Sequence, residues 1–193
     1  MKTPLSRTAV ALRLLAVAVP LGSLQSAQAA EPGAHVHGVA ELRIVVDGAR
    51  LDVALETPLD NVLGFEKAPR TEPQRAAVRA LAGKLRQPQL LQPTPAARCQ
   101  PASTRLQSAV LPPELLGESG PPAAKGKESA EGDDHADLDA SFSWQCAVPA
   151  ELKGLRVGLM QAFPGIRRID VQVVSPRGQS ATRLTPGKAD VAW

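Results

Sequence analysis

"VAELRIVVDGARLDVALE", residues 39–56, decides the fold class. In its second half Leu51, Val53 and Leu55 alternate with Asp52, Ala54 and Glu56. A period of two belongs to a strand with one buried and one wet face. Asp47-Gly48 stands between the two β-prone runs, and an Asp-Gly pair in that place predicts a hairpin closed by a tight type I′ turn. The chain therefore starts as a sheet protein.

Working outward, "TPLDNVLGFEKAPRT" (57–71) reads as a loop, with Pro58, Gly64 and Pro69 as breakers. A helix is predicted from Glu72 to Arg86. Thr71 caps it, Gln74 completes a capping box, and Pro73 is tolerated in the first turn. Val78, Leu81 and Leu85 recur at helical spacing and form a narrow apolar stripe, suited to packing on a sheet. Strand-like patterns return at 98–110 and 136–148. Between them, residues 112–135 are rich in Pro, Gly, Ser and charge, and read as a low-complexity loop without fixed structure.

If Cys99 faces Cys146 in an antiparallel pair, partner numbers sum to 245 and Val110 falls opposite His135, where the loop begins. "ELKGLRVGLMQAFP" (151–164) predicts a short strand and one or two helical turns ending at Pro164. "IRRIDVQVVSP" (166–176) is a strong strand, and Arg177-Gly178 turns the chain into a partner strand at 179–184. The expected fold is α+β: a mostly antiparallel β-sheet, a small helical layer and a disordered central loop. One domain is expected, with an N-terminal half at 30–111 and a C-terminal half at 136–193.

The first 29 residues are of another kind. Lys2, Arg7 and Arg13 precede an apolar run from Leu14 to Leu24, and "AQA" (27–29) follows. This is the pattern of a secretory signal peptide cleaved after Ala29. The alternative, a retained membrane anchor, conflicts with the shortness of the run. No later segment is apolar enough to span a membrane. Removal of the signal takes away three basic residues and no acidic ones, so the 22 basic residues of the whole chain fall to 19, equal to its 19 acidic ones. With no net positive charge and no aromatic-studded basic stripe, nucleic-acid binding is not indicated. With three Phe, two Trp and no Tyr, the core must be built mainly from aliphatic side chains. Cys99 and Cys146 both lie in the exported part, where an even pair most simply forms a disulfide. A thiolate pair for redox or metal chemistry normally has closer C-x-x-C spacing.

The chemistry-bearing residues are few. A catalytic triad needs a histidine in a rigid shell, whereas His35 and His37 lie near the mature N-terminus and His135 abuts the central loop. No glycine-rich phosphate loop joins a strand to a helix. No enzyme is expected. Metal binding fits better, because in an extended chain His35 and His37 project to the same side and can share a tetrahedral zinc ion. Further candidate ligands cluster in "EGDDHADLD": Asp133, Asp134, His135 and Asp137. Histidine with carboxylate suits zinc, and histidine-rich sets also suit copper. The plainer alternative is that these are solvated polar residues, with charges that discourage edge pairing.

"AHVHGVAEL" (34–42), "TPLDNVLGFEKAPRT" (57–71) and "FPGIRRIDVQVVSPRGQSATRLTP" (163–186) together resemble the ZrgA-like proteins, zinc-regulated exported proteins of Gram-negative bacteria. The resemblance covers about Ala34 to Pro186. It implies a periplasmic zinc-binding protein, without catalytic activity, that assists zinc uptake by an ABC-type importer. His35, His37 and Gly38 fall on the family's H-x-H-G motif, and Glu66 falls in its "GFE" block. Where many members carry a histidine after that glutamate this chain has Lys67, and the family's long His/Asp tract has shrunk to "GDDHAD". These differences leave a single zinc site rather than a high-capacity buffer. The contrasting reading is a metal-independent domain that binds another envelope protein through a sheet edge or the 112–135 loop.

Overall fold

In the computed structural model, residues 36–119 and 136–193 are described. The predicted signal peptide (1–29), His35 and the acidic stretch with Asp133, Asp134 and His135 lie outside the described residues.

The opening hairpin is formed by β1 (Val39–Asp47) and β2 (Arg50–Pro58), paired antiparallel. Ala40, Leu42, Ile44 and Val46 share the buried face with Leu51, Val53 and Leu55. The turn sits one residue later than the sequence predicts. Asp47 pairs with Arg50, so the two-residue loop is Gly48-Ala49, and only Gly48 has a positive φ, +55°. That is the type II′ pattern, with glycine at the first central position. A type I′ turn at Asp47-Gly48 would force a positive φ on the aspartate as well. With the glycine leading, the strain falls on the residue that bears it freely.

The hairpin lies at the centre of a six-stranded sheet. The remaining strands are β3 (Leu91–Pro93), β4 (Cys99–Gln107), β5 (Asp137–Cys146), β6 (Gly154–Val157), β7 (Arg168–Ser175), β8 (Gly178–Leu184) and β9 (Asp190–Ala192). The large sheet has the order β4-β5-β2-β1-β7-β8, and β3-β6-β9 make a small second sheet. Neighbours are antiparallel except β1 and β7, which run parallel. The fold is α+β and mostly antiparallel, as the alternation patterns predict.

Cys99 and Cys146 face each other and are joined by a disulfide, which removes the thiolate alternative. From there the register departs from the simple sum. Pro101 still opposes Trp144, but a bulge follows, and Ser103 opposes Ser143. The extra residue turns the even positions of β4 inward, so Leu106 meets Ala140 and is buried. Without it Leu106 would face solvent. Pairing ends at Gln107 and Asp139, short of the expected Val110–His135 match.

Among the described residues three α-helices complete the domain: α1 (Leu59–Leu63), α2 (Glu72–Leu85) and α3 (Leu159–Ala162). Helix α2 has its predicted capping box, with Gln74 N–H donating to Thr71 Oγ1 and Thr71 N–H to Gln74 Oε1. Its Val78, Leu81, Ala82 and Leu85 join the core formed by the sheet. Thr71→Ala should lower stability by about 1 kcal/mol, read as a shifted urea midpoint with unchanged slope. On its exposed side Glu72 binds Arg75 and Arg79, and the hydrogen bond from Arg75 is the main cause that holds its carboxyl below the usual range. Helix α1 lies in a stretch that reads as loop. One turn is too short to show periodicity, and it stops at Gly64, whose φ of +77° ends the helix.

The segment after β4 is also partly built into the domain. Leu111 and Leu116 are buried, and Glu118 Oε1 accepts from Arg86 Nη2 and from the Leu106 backbone N–H. Residues 112–119 are thus packed, and the remainder of the predicted loop lies outside the described residues.

Candidate metal centre

His37 stands in the turn that leads into β1. Val39 N–H donates to Val36 C=O across that turn, and Gly38 has a φ of +83°. The backbone of Gly38 is fixed on both sides. Its carbonyl accepts from the N–H groups of Arg167 and Arg168 at 2.8 and 3.0 Å, while its N–H donates to Asn61 Oδ1 at 2.6 Å. A side chain at residue 38 would strike the Arg167 guanidinium, which covers the turn and donates to His37 C=O. The glycine of "HVHG" is therefore required for its backbone angle, whereas the flexible end of Arg167 could give way to a Cβ.

The imidazole has a carboxylate on each side. Its Nδ1 lies 3.0 Å from Asp60 Oδ2, and its Nε2 lies 3.8 Å from Glu66 Oε1. The two carboxylates have different roles. A carboxylate bound to Nδ1 holds the proton there and orients the ring, leaving the Nε2 lone pair for a metal. Two ligand atoms on a tetrahedral zinc lie about 3.3 Å apart. A small side-chain rotation would bring Nε2 and Glu66 Oε1 to that separation. His37 is 58% exposed and Glu66 29%, so an ion can reach the gap from solvent.

Two of the predicted ligands, His37 and Glu66, are therefore brought together. Asp137 stands at the start of β5 opposite Pro58, which precedes Asp60 by two residues. Among the described residues no group of three or more His, Cys, Asp or Glu side chains is arranged to hold a metal ion. His35, Asp133, Asp134 and His135 lie outside those residues. Ala136 C=O accepts from Leu59 N–H at 2.9 Å, so the residue after His135 adjoins the residue before Asp60.

Asp60 and Asn61 are the residues that sequence reasoning misses. Both sit on α1, in the segment that reads as loop. An acid in a helix's first turn looks like ordinary helix chemistry, and nothing in "LDN" signals that residues 23 positions earlier are its partners.

Residues 34–193 match the family model described as "ZrgA family zinc uptake protein". None of the curated proteins compared with the chain matches it.

Proposed function

The chain belongs to the ZrgA family of zinc uptake proteins, and from that premise we propose that it is a periplasmic zinc-binding accessory protein that captures zinc through His37 and passes it to components of an ABC-type importer. The carrying observation is the pair of carboxylates around one imidazole, Asp60 on Nδ1 and Glu66 facing Nε2. In this reading zinc is cargo. His37 Nε2 and Glu66 supply two ligands, and His35 with His135, Asp133 or Asp134 supply the others. The bond from Leu59 N–H to Ala136 C=O, one residue from Asp60 on one side and from His135 on the other, supports a reach from His135 to the site. The role is binding and not catalysis. A ligand exposed to solvent, as His37 is, suits an ion that must leave again by ligand exchange, whereas structural zinc sites are closed.

Export to the periplasm is supported by the signal-like N-terminus and by the disulfide, which persists in oxidising compartments. No described helix is long and apolar enough to cross a membrane.

Isothermal titration of the purified protein with zinc tests the reading. Wild type should bind in the micromolar range or tighter, and His37→Ala should weaken that binding to the residual affinity of the remaining ligands. Asp60→Ala should weaken it by about 10- to 100-fold, because the ring loses its orienting partner. Unchanged affinity in the His37→Ala protein would rule the site out. Binding of an envelope partner that survives chelation would favour a metal-independent interaction domain.

A further inference from the structure

We propose that Asn61 is the positioning residue of this site: its buried carboxamide sets the His37-Gly38 turn, so zinc affinity depends on a side chain that never touches the ion. The inference rests on the reading of His37 as a ligand.

Asn61 is 5% exposed, one of only three polar residues among the buried described ones. Its carboxamide joins the approach to β1 to the end of β2. Oδ1 accepts from Gly38 N–H at 2.6 Å, and Nδ2 donates to Val39 C=O at 2.9 Å and to Thr57 Oγ1 at 3.0 Å. The amide thus grips the two residues that follow His37, and Thr57 at the end of β2 holds the amide in turn. An apolar residue of similar size would leave the buried Gly38 N–H without this partner and take a donor from the half-buried Val39 C=O, at a cost that shifts the turn away from α1.

The consequence for the imidazole is geometric. Asp60 and Asn61 are neighbours on α1, one binding the His37 ring and the other the backbone beside it. The ring contact holds only while the turn and the helix keep their register. The helix is itself fixed. Leu59 is fully buried, and Gly165 lies so close that a Cβ there would fall 2.3 Å from the Asn61 carbonyl oxygen. One buried amide therefore couples a rigid helix to an exposed ligand. A merely structural asparagine would change stability and leave zinc affinity alone.

The test compares zinc titrations of wild type, Asn61→Ala, His37→Ala and the double variant, with circular dichroism confirming that each is folded. Asn61→Ala should weaken zinc binding by about 10- to 100-fold. In the double variant it should add nothing to the loss caused by His37→Ala, since it acts through that side chain. The ¹⁵N spectrum of the His37 imidazole should show an Nδ1–H tautomer in wild type and a mixture in Asn61→Ala. A folded Asn61→Ala protein with wild-type affinity overturns the inference, as does full additivity in the double variant. If Asn61→Ala does not fold, Thr57→Val removes only the hydroxyl that anchors the amide. It should weaken zinc binding in the same direction by less, and unchanged affinity there also overturns the inference. A His37→Ala protein that still binds zinc normally overturns the reading of His37 itself, and the role of Asn61 with it.

Discussion

Replacing Cys99 and Cys146 together by alanine should lower the stability of the domain by about 4 kcal/mol. The two cysteines are 47 residues apart in sequence, and a crosslink of that span removes that much loop-closure free energy from the unfolded chain. The loss should appear as a lower urea midpoint, and the same shift should follow reduction of the wild-type protein. The disulfide ties the edge strand β4 to β5, so hydrogen exchange should quicken most in β4. Most of that strand's residues are exposed, and it has little other apolar packing to retain it. A double variant as stable as the oxidised protein would mean that β4 is held by its ladder and Leu106 alone.

Leu42→Ala should be nearly as damaging, costing about 3 kcal/mol. Leu42 is fully buried at the middle of β1, opposite Leu55 on one side and Val171 on the other. The neighbours of a central strand are fixed by ladders on both edges, so the space left by the side chain cannot collapse. Val45→Ala is the matched control. Val45 lies on the open face of the same strand, 41% exposed, and its truncation should change stability by about 0.5 kcal/mol or less. A comparable loss in both variants would indicate that the open face is covered in solution.

The sequence was most readable where one period repeats over several residues. The alternation in β1 and β2 identifies the hairpin and its buried face, and the Thr71/Gln74 box sets the start of α2 to the residue. Geometry that depends on a single residue was not readable. The bulge that reverses the faces of β4 comes from one extra residue between Pro101 and Ser103, and nothing in "QPAST" announces it. The shift of the first turn from Asp47-Gly48 to Gly48-Ala49 is of the same kind. Long-range pairing was also hidden, because β1 and β7 are adjacent through the path of the whole chain and not through any local pattern. The site divides along the same line. His37 and Glu66 could be picked out by residue type and motif, while Asp60 and Asn61 owe their importance to partners 23 residues away across a short helix.

The parallel pairing of β1 with β7 has a consequence for how the molecule comes into being. The first strand to leave the ribosome belongs at the middle of the sheet, and one of its two neighbours is among the last to be made. Contacts of such sequence separation slow folding, into the range of milliseconds to seconds for sheet-rich domains. A chain cut short before Arg167 lacks one of the two strands beside β1. It also lacks the two N–H groups, of Arg167 and Arg168, that hold the Gly38 carbonyl. The Gly38 carbonyl thus gains its partners late, and a molecule truncated before them would present His37 with that side of its setting missing.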